Sequence, residues 1–330
     1  MAKVTDYSAK DIVVLEGLDA VRMRPGMYIG TTGAKGMHHI LWEILDNSMD
    51  EVANGYGDHV LIEIFPDNSA AVTDNGRGIP VDLHPKYNIP AVEMVFTMLH
   101  AGGKFSDKKY DFSGGLHGVG ASVTNALSSW LTVEVWRDKK KYTEKFHSPL
   151  VDGKIKSGVV KEPLKAEPAP NAGTGTRVTF LPDPSVFQNE KFSFETISRH
   201  VRELAYLNAG LRITVKKYGS EGEPDQENSF CYEGGLKDFV LSLNEGKQPK
   251  YAEPVYVERK SKECQVMLAF QHTDSYTENI FSYVNNIQTS EGGTHETGFK
   301  SALTKVLNDF GRSRNIIKEK QANFLGEDYR

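Results

Sequence analysis

Between residues 37 and 53 the apolar side chains Ile40, Leu41, Ile44, Leu45, Met49 and Val52 recur with a helical period, and the spacing predicts a helix over 37–53. A shorter helix is expected over 8–24, closed by Pro25-Gly26, with residues 1–16 as a detachable arm. Further helices are predicted at 90–99, from Ser193 to Asn208 with Gly210 as the stop, near 235–244, and from Thr294 to Asp309. On the last of these Phe299, Leu303, Val306, Leu307 and Phe310 mark the expected core side, and the last twenty residues after it are polar and uncapped. Alternation predicts strands at His59–Phe65 and Ala70–Asp74, joined as a hairpin by Pro66-Asp67-Asn68-Ser69. Other strands are expected at Leu131, Val133 and Val135, at Lys141–His147, at Thr176–Leu181, at Leu211, Ile213 and Val215, and near 264–270 and 279–287.

Strands and helices interleave without a strict βαβ rhythm, which favours α+β sandwiches over a doubly wound parallel sheet. Ala101 to Gly120 is rich in glycine and charge and has no clear period, so it reads as a functional loop or lid. Gly219 to Asn228 is polar enough for a linker or hairpin tip, and the expected domains are 1–222 and 223–330. A length of 330 residues agrees with two domains, and 39% hydrophobic residues suffices for their cores. The net charge of −5 gives no sign of nucleic-acid binding, and Lys139–Lys141 and Arg312–Lys320 are local basic clusters of the kind usually found solvated. Two cysteines, Cys231 and Cys264, are too few for a disulfide framework or a zinc site. With no apolar leader and no membrane-length apolar run, a cytoplasmic location is expected.

The densest candidate for chemistry is Ser113-Gly114-Gly115-Leu116-His117-Gly118-Val119-Gly120, followed at once by the helix-like Ala121–Leu127. Glycines let several backbone N–H groups converge on one anion, and a helix N-terminus adds more of them; a tight turn is the equally ordinary use of such a loop. On the 37–53 helix, His39, Glu43, Asp46, Asn47 and Asp50 fall at i, i+4, i+7, i+8 and i+11, opposite the apolar stripe. Alone, that face reads as solvated surface. Downstream come Asp74-Asn75-Gly76-Arg77-Gly78-Ile79-Pro80, then Gly102-Gly103-Lys104, the cradle, and Gly173-Thr174-Gly175-Thr176. Neither the Walker-A pattern nor the dinucleotide fingerprint occurs.

That order resembles the ATP site shared by DNA gyrase B subunits, heat-shock chaperone ATPases, mismatch-repair ATPases and sensor histidine kinases. Gly17–Arg22, Arg24–Gly30, His100–Phe105, the cradle and Gly292–Phe299 narrow it to the type IIA topoisomerase ATPase region. Glu203–Gly210 is more similar to the gyrase B family than to the B-type chains of topoisomerase IV. The resemblance implies a two-layer α/β sandwich ATPase domain followed by a second α+β transducer domain. It implies an ATP-hydrolysing subunit that uses ATP and Mg2+, dimerises on ATP binding, and acts with a gyrase A subunit on DNA to drive supercoiling.

By the same resemblance Glu43 is the general base for water attack on the γ-phosphate, His39 orients it, and Asn47 is the Mg2+ ligand. Asp74 accepts from the adenine amino group; Gly76 and Gly78 leave room for the base, and Ile79 and Pro80 wall it. Arg77 lies under the base or near its edge, with a surface ion pair as the alternative. Thr176 reaches the adenine side. Gly102, Gly103, Lys104 and Tyr110 belong to the lid, and Gly115, Leu116, His117, Gly118, Val119 and Gly120 to the phosphate end. Tyr7 matches a tyrosine that reaches the nucleotide of the partner copy. The family's late transducer lysine lies beyond Gly326–Arg330. The second domain is therefore expected to be truncated and the chain alone to be a weak ATPase or an ATP-binding switch.

Overall fold

The computed structural model describes residues 17–102, 114, 118–188, 190–261, 264–275 and 277–330. They fall into two compact units, divided between Tyr232 and Glu233. The first opens with α1 (Gly17–Met23), the single turn α2 (Gly26–Ile29) and the long α3 (Ala34–Ala53). Residues 8–16 of the expected first helix lie outside the described residues. Pro25 does not end helical structure: its φ of −58° and ψ of −35° are helical, and α2 starts from it. Helix α3 begins at Ala34, ahead of the expected start, behind Gly33 in an extended conformation. Of the predicted stripe Ile40, Leu41, Ile44, Leu45 and Met49 are at most 2% exposed, Val52 is half-buried against the core, and Met37, also fully buried, extends it. Each such burial is worth about 1.5–3 kcal/mol, and cutting Leu41 back to Ala costs about 2–5 kcal/mol.

The predicted hairpin joins β1 (His59–Ile64) to β2 (Ala70–Asp74), its turn closed by Asp67 Oδ1, which accepts from the Ser69 N–H and Oγ. After them come α4 (Ala91–Thr97), α5 (Gly120–Ala126), β3 (Ser128–Arg137), β4 (Lys140–His147), the small hairpin β5 (Leu150–Val151) and β6 (Lys154–Ile155), and β7 (Val159–Pro168). Then follow β8 (Gly175–Pro182), α6 (Pro184–Phe187), α7 (Phe194–Leu207), β9 (Arg212–Lys217) and β10 (Gln226–Phe230). Eight strands form one sheet in the order β10-β9-β1-β2-β8-β3-β4-β7. Among the described residues only the β1–β9 pair within it is parallel.

Alternation along the strands sends Ile62, Val72, Val133, Val178 and Ile213 into the core, where α3, α5 and α7 cover them. The residues between, such as Arg177 paired with Glu63 and Glu134, make the other face polar. The result is a two-layer α+β sandwich. Ser193 caps α7 by accepting from the Thr196 N–H, and Thr124 Oγ1 of α5 donates to the Ile40 carbonyl of α3 at 2.9 Å. Of the two expectations for the polar stretch at 219–228, linker or hairpin tip, the second fits: it joins β9 to β10, and β10 pairs antiparallel with β9 across Gln226–Phe230. Its ladder bonds are backbone bonds, so polar side chains do not prevent it, and the unit division falls after it rather than after residue 222.

The second unit contains α8 (Leu236–Leu243), the pair β11 (Val255–Lys260) and β12 (Gln265–Phe270), the two-residue strands β13 (Tyr283–Val284) and β14 (Ile287–Gln288), and α9 (Thr294–Ser313). The strand expected at 279–287 is cut short by Asn285 and Asn286, both at positive φ. On α9 the expected core side holds only in part, with Phe299, Leu303 and Leu307 half-buried. Val306 and Phe310 are 61% and 52% exposed, while the buried residues are Asn308 and Gly311. The reason is the chain end, which folds back on that other face. Asn308 exchanges hydrogen bonds with the Phe324 backbone in both directions at 2.9 Å, and Ile317 covers Gly311.

Candidate functional site

The polar stripe of α3 meets the start of α5. His39 Nε2 stands 3.2 Å from Glu43 Oε1, and a Cβ on Gly120, the first residue of α5, would lie 1.9 Å from Glu43 Oε2. Only a glycine lets α5 start this close to the carboxylate. The hydrogen bond to Glu43 raises the His39 pKa above the ordinary imidazole value, against the opposing effect of burial. One turn on, Asn47 Nδ2 donates to the Glu43 carbonyl at 3.0 Å. Asp50, 4% exposed, accepts from the Gly114 N–H at 2.8 Å and so ties the glycine-rich loop to α3.

The second group gathers at the end of β2. Sheet register pairs Asp74 with Thr176 of β8, residues far apart in sequence. Asp74 Oδ1 accepts from the Gly76 N–H at 2.9 Å and the Thr176 N–H at 3.3 Å, and Oδ2 accepts from Ser48 Oγ of α3 at 2.9 Å. Burial pushes the Asp74 carboxyl above the usual carboxylate range; the three donors pull it back, and the Glu51 charge adds to the rise. Thr176 Oγ1 accepts from the Ile79 N–H at 3.3 Å. At Gly78 the chain turns with φ of +77°, a glycine conformation, and its carbonyl accepts from Arg137 Nη1 at 3.1 Å. Ile79 packs partly buried against the core, and Pro80 is exposed.

Arg77 is held by Glu51. Nε and Nη2 donate to the carboxylate at 2.9 and 2.7 Å, the backbone N–H adds a third bond, and the guanidinium lies 3.6 Å from the centre of the Tyr56 ring. Of the remaining predicted site residues, Gly102 is exposed, and Gly118 and Val119 are half-buried beside Gly120. Tyr7, Gly103, Lys104, Tyr110, Gly115, Leu116 and His117 lie outside the described residues. Among the described residues no three His, Cys, Asp or Glu side chains are grouped as a metal centre.

Sequence reasoning missed Ser48, Glu51, Tyr56, Asn75 and Arg137. Ser48 left one signal, a hydroxyl between Leu45 and Met49 on the buried side of α3. Asn75 Oδ1 accepts from both the Asp58 and His59 N–H groups at 3.0 Å, which sets the start of β1 beside the Asp74 loop.

Residues 32–185 match the family model described as histidine kinase-, DNA gyrase B-, and HSP90-like ATPase, and residues 235–330 match that of DNA gyrase B. The DNA gyrase B protein of Halalkalibacterium halodurans is 47% identical over 325 residues, covering 98% of this chain and 49% of the relative. That of Staphylococcus epidermidis is 48% identical over 326 residues, with the same coverage of 98% and 49%. The chain thus spans about half the length of the curated relatives it matches. The crystal structure of the 43K ATPase domain of Thermus thermophilus gyrase B, in complex with an aminocoumarin, superposes with a TM-score of 0.79 at 41% identity. The match covers 94% of this chain and 77% of that one. Every described residue of the two groups above lies in the first matched segment, and the chain belongs to the DNA gyrase B family.

Proposed function

We propose that this chain is the ATP-binding and ATP-hydrolysing module of a gyrase B protein, with Asp74 and Glu43 at the two ends of one nucleotide. The observation that carries the reading is the pairing of a half-buried carboxylate held by three donors at one end of the site with a carboxylate pressed on the start of α5 at the other. Asp74 is an acceptor held by three donors, suited to the adenine amino group and opposed to the guanine carbonyl. Thr176 accepts from Ile79 and so directs its own proton elsewhere, toward a ring nitrogen or a bridging water. Gly78 leaves space by the base, and Ile79 and Pro80 offer apolar surface. Arg77, clamped by Glu51, braces the edge of this pocket rather than reaching freely into it.

At the other end Glu43 orients and deprotonates the attacking water, and His39 holds the carboxylate in place. The family relation supports a Mg2+ ion with the phosphates. The donor set fits one, because Mg2+ keeps several waters and takes few protein oxygens, and the Asn47 amide beside Glu43 supplies a neutral ligand of that kind. Bound there, the ion supplies charge neutralisation at the phosphates. Gly102, Gly103, Lys104, Tyr110 and the Gly115–Gly120 segment are assigned to the phosphate side, and Tyr7 to the partner's nucleotide. ATP-driven pairing of two gyrase B copies, action with a gyrase A subunit on DNA, and a cytoplasmic location complete the proposal. No helix among the described residues is long and apolar enough to cross a membrane.

The experiment is steady-state hydrolysis alongside ATP affinity for the chain and for Glu43→Ala. Turnover lost with binding kept is the expected result. Equal, near-zero turnover in both leaves a nucleotide-binding switch, and loss of binding in the variant overturns the role given to Glu43.

A further inference from the structure

Glu144 of β4 faces the core, opposite Val133 of β3, and is 0% exposed. Neither of its carboxylate oxygens meets a hydrogen-bond donor among the described residues. The strand beside it supplies none. The β4–β7 pairing steps from Thr143–Lys165 to Lys145–Glu162, so Glu144 falls in a bulge opposite Pro163 and Leu164. The neighbouring lysine, Lys145, pairs with Glu162. From β3 the inward side chains are Leu131, Val133 and Val135, and α5 brings the uncharged Thr124 and Asn125. Among the described residues the charged group that faces Glu144 is another acid, Glu93 in the first turn of α4, within hydrogen-bonding reach. Helix α4 is held over this point by Phe96, whose ring lies 5.7 Å from that of Phe146, and by Asn125 Nδ2, which donates to the Phe96 carbonyl at 2.9 Å.

Beside the half-buried Glu93, the fully buried Glu144 resists adding a second negative charge, but one proton between the two makes a strong O–H···O⁻ bond. We propose that Glu93 and Glu144 share a single proton and act as a latch that holds α4 on the sheet at neutral pH and lets it loosen at alkaline pH. Helix α4 leads directly to Met98–Gly102, so the latch bears on the approach to the proposed nucleotide site, although the inference does not depend on that reading. Burial, and after it the Glu93 charge, push the Glu144 carboxyl up to about 8. In the unfolded chain it loses its proton near 4.5. Between these values the folded state holds the extra proton, so stability falls as pH rises from 4.5 to 8, and above 8 the pair repels.

The test is amide hydrogen exchange of residues 91–98 at pH 7 and pH 9, corrected for intrinsic rates, with thermal unfolding from pH 5 to 9. In the unmodified chain these amides exchange about tenfold faster at pH 9 than at pH 7, one unit past the transition. In Glu144→Gln, whose amide donates to Glu93 with no proton to lose, the acceleration disappears and the downward slope of stability with pH flattens. Glu93→Gln takes away the second acid but leaves the buried Glu144 carboxyl, so there the acceleration shrinks rather than disappears, and poor folding of one variant leaves the other as the test. Equal exchange at both pH values in the unmodified chain, or unchanged acceleration in both variants, overturns the proposal.

Discussion

Replacing Gly120 by alanine tests how Glu43 is positioned without removing any polar atom. The added Cβ would stand 1.9 Å from Glu43 Oε2, 2.9 Å from its Cδ and 3.0 Å from its Cβ, all on one flexible side chain. To regain ordinary contact the carboxylate must retreat by about 1.5 Å, a displacement of the kind that costs about 10²-fold in rate when the moved group is catalytic. Folding changes little. Gly-to-Ala in a helix interior gains about 1 kcal/mol, less at a first residue, and losing the part-exposed His39–Glu43 contact costs about 1 kcal/mol at most. The assay measures steady-state ATPase, ATP affinity and melting temperature together, on Gly120→Ala, Glu43→Ala and the double variant. Turnover should fall about 100-fold with the melting temperature within a few degrees, and the double variant should be no slower than Glu43→Ala alone, because both changes disable one group. A Gly120→Ala chain that hydrolyses ATP at the unmodified rate refutes the placement of Glu43. Additive losses in the double variant assign Gly120 a separate role in holding phosphate.

His39 should titrate above 6.5 by NMR because of its bond to Glu43, and return toward the ordinary value in Glu43→Gln. The stabilisation from that pair is complete below pH 6.5 and is lost as pH rises through the higher folded value, so the stability gap between the two chains should close on the alkaline side. Ser48→Ala removes the hydroxyl that donates to Asp74 Oδ2 and should weaken ATP binding by about 5- to 10-fold, the net worth of one ordinary hydrogen bond, while Ser48→Thr keeps most of the affinity. Calorimetric titration checks both.

The sequence made α3 legible because six apolar positions repeat with one period, and β1–β2 legible because a strong turn separates two alternating runs. Where an element depends on backbone pairing alone composition leaves the choice open, as at β10, whose exposed Gln226–Ser229 fits a linker as well as one arm of a hairpin. Helix α9 fails differently. Its apolar stripe is genuine, but Asn308 and Gly311 make the contacts because the returning chain end supplies a backbone to hydrogen-bond. Within the site, the α3 stripe of His39, Glu43 and Asn47 was readable from helical spacing. The join between Asp74 and Thr176 was not, since strand order brings β2 beside β8 and no local pattern encodes it. Ser48 and Glu51 were hidden for the same reason, their partners Asp74 and Arg77 lying a strand away. Glu144 was illegible as a buried acid because its position in a polar strand, Lys140–His147, looks solvated until β7 and α4 cover it.

The most direct measurement is the calorimetric affinity of the chain for a non-hydrolysable ATP analogue with and without Asp74→Asn. The amide can keep the bonds from Gly76 and Thr176 but turns a donor toward Ser48 or the base, leaving a buried mismatch worth about 1–3 kcal/mol. Binding should weaken by about 10- to 100-fold with the fold intact. An unchanged affinity would contradict this assignment, because the half-buried carboxylate at the end of β2 would then have no part in recognising the base.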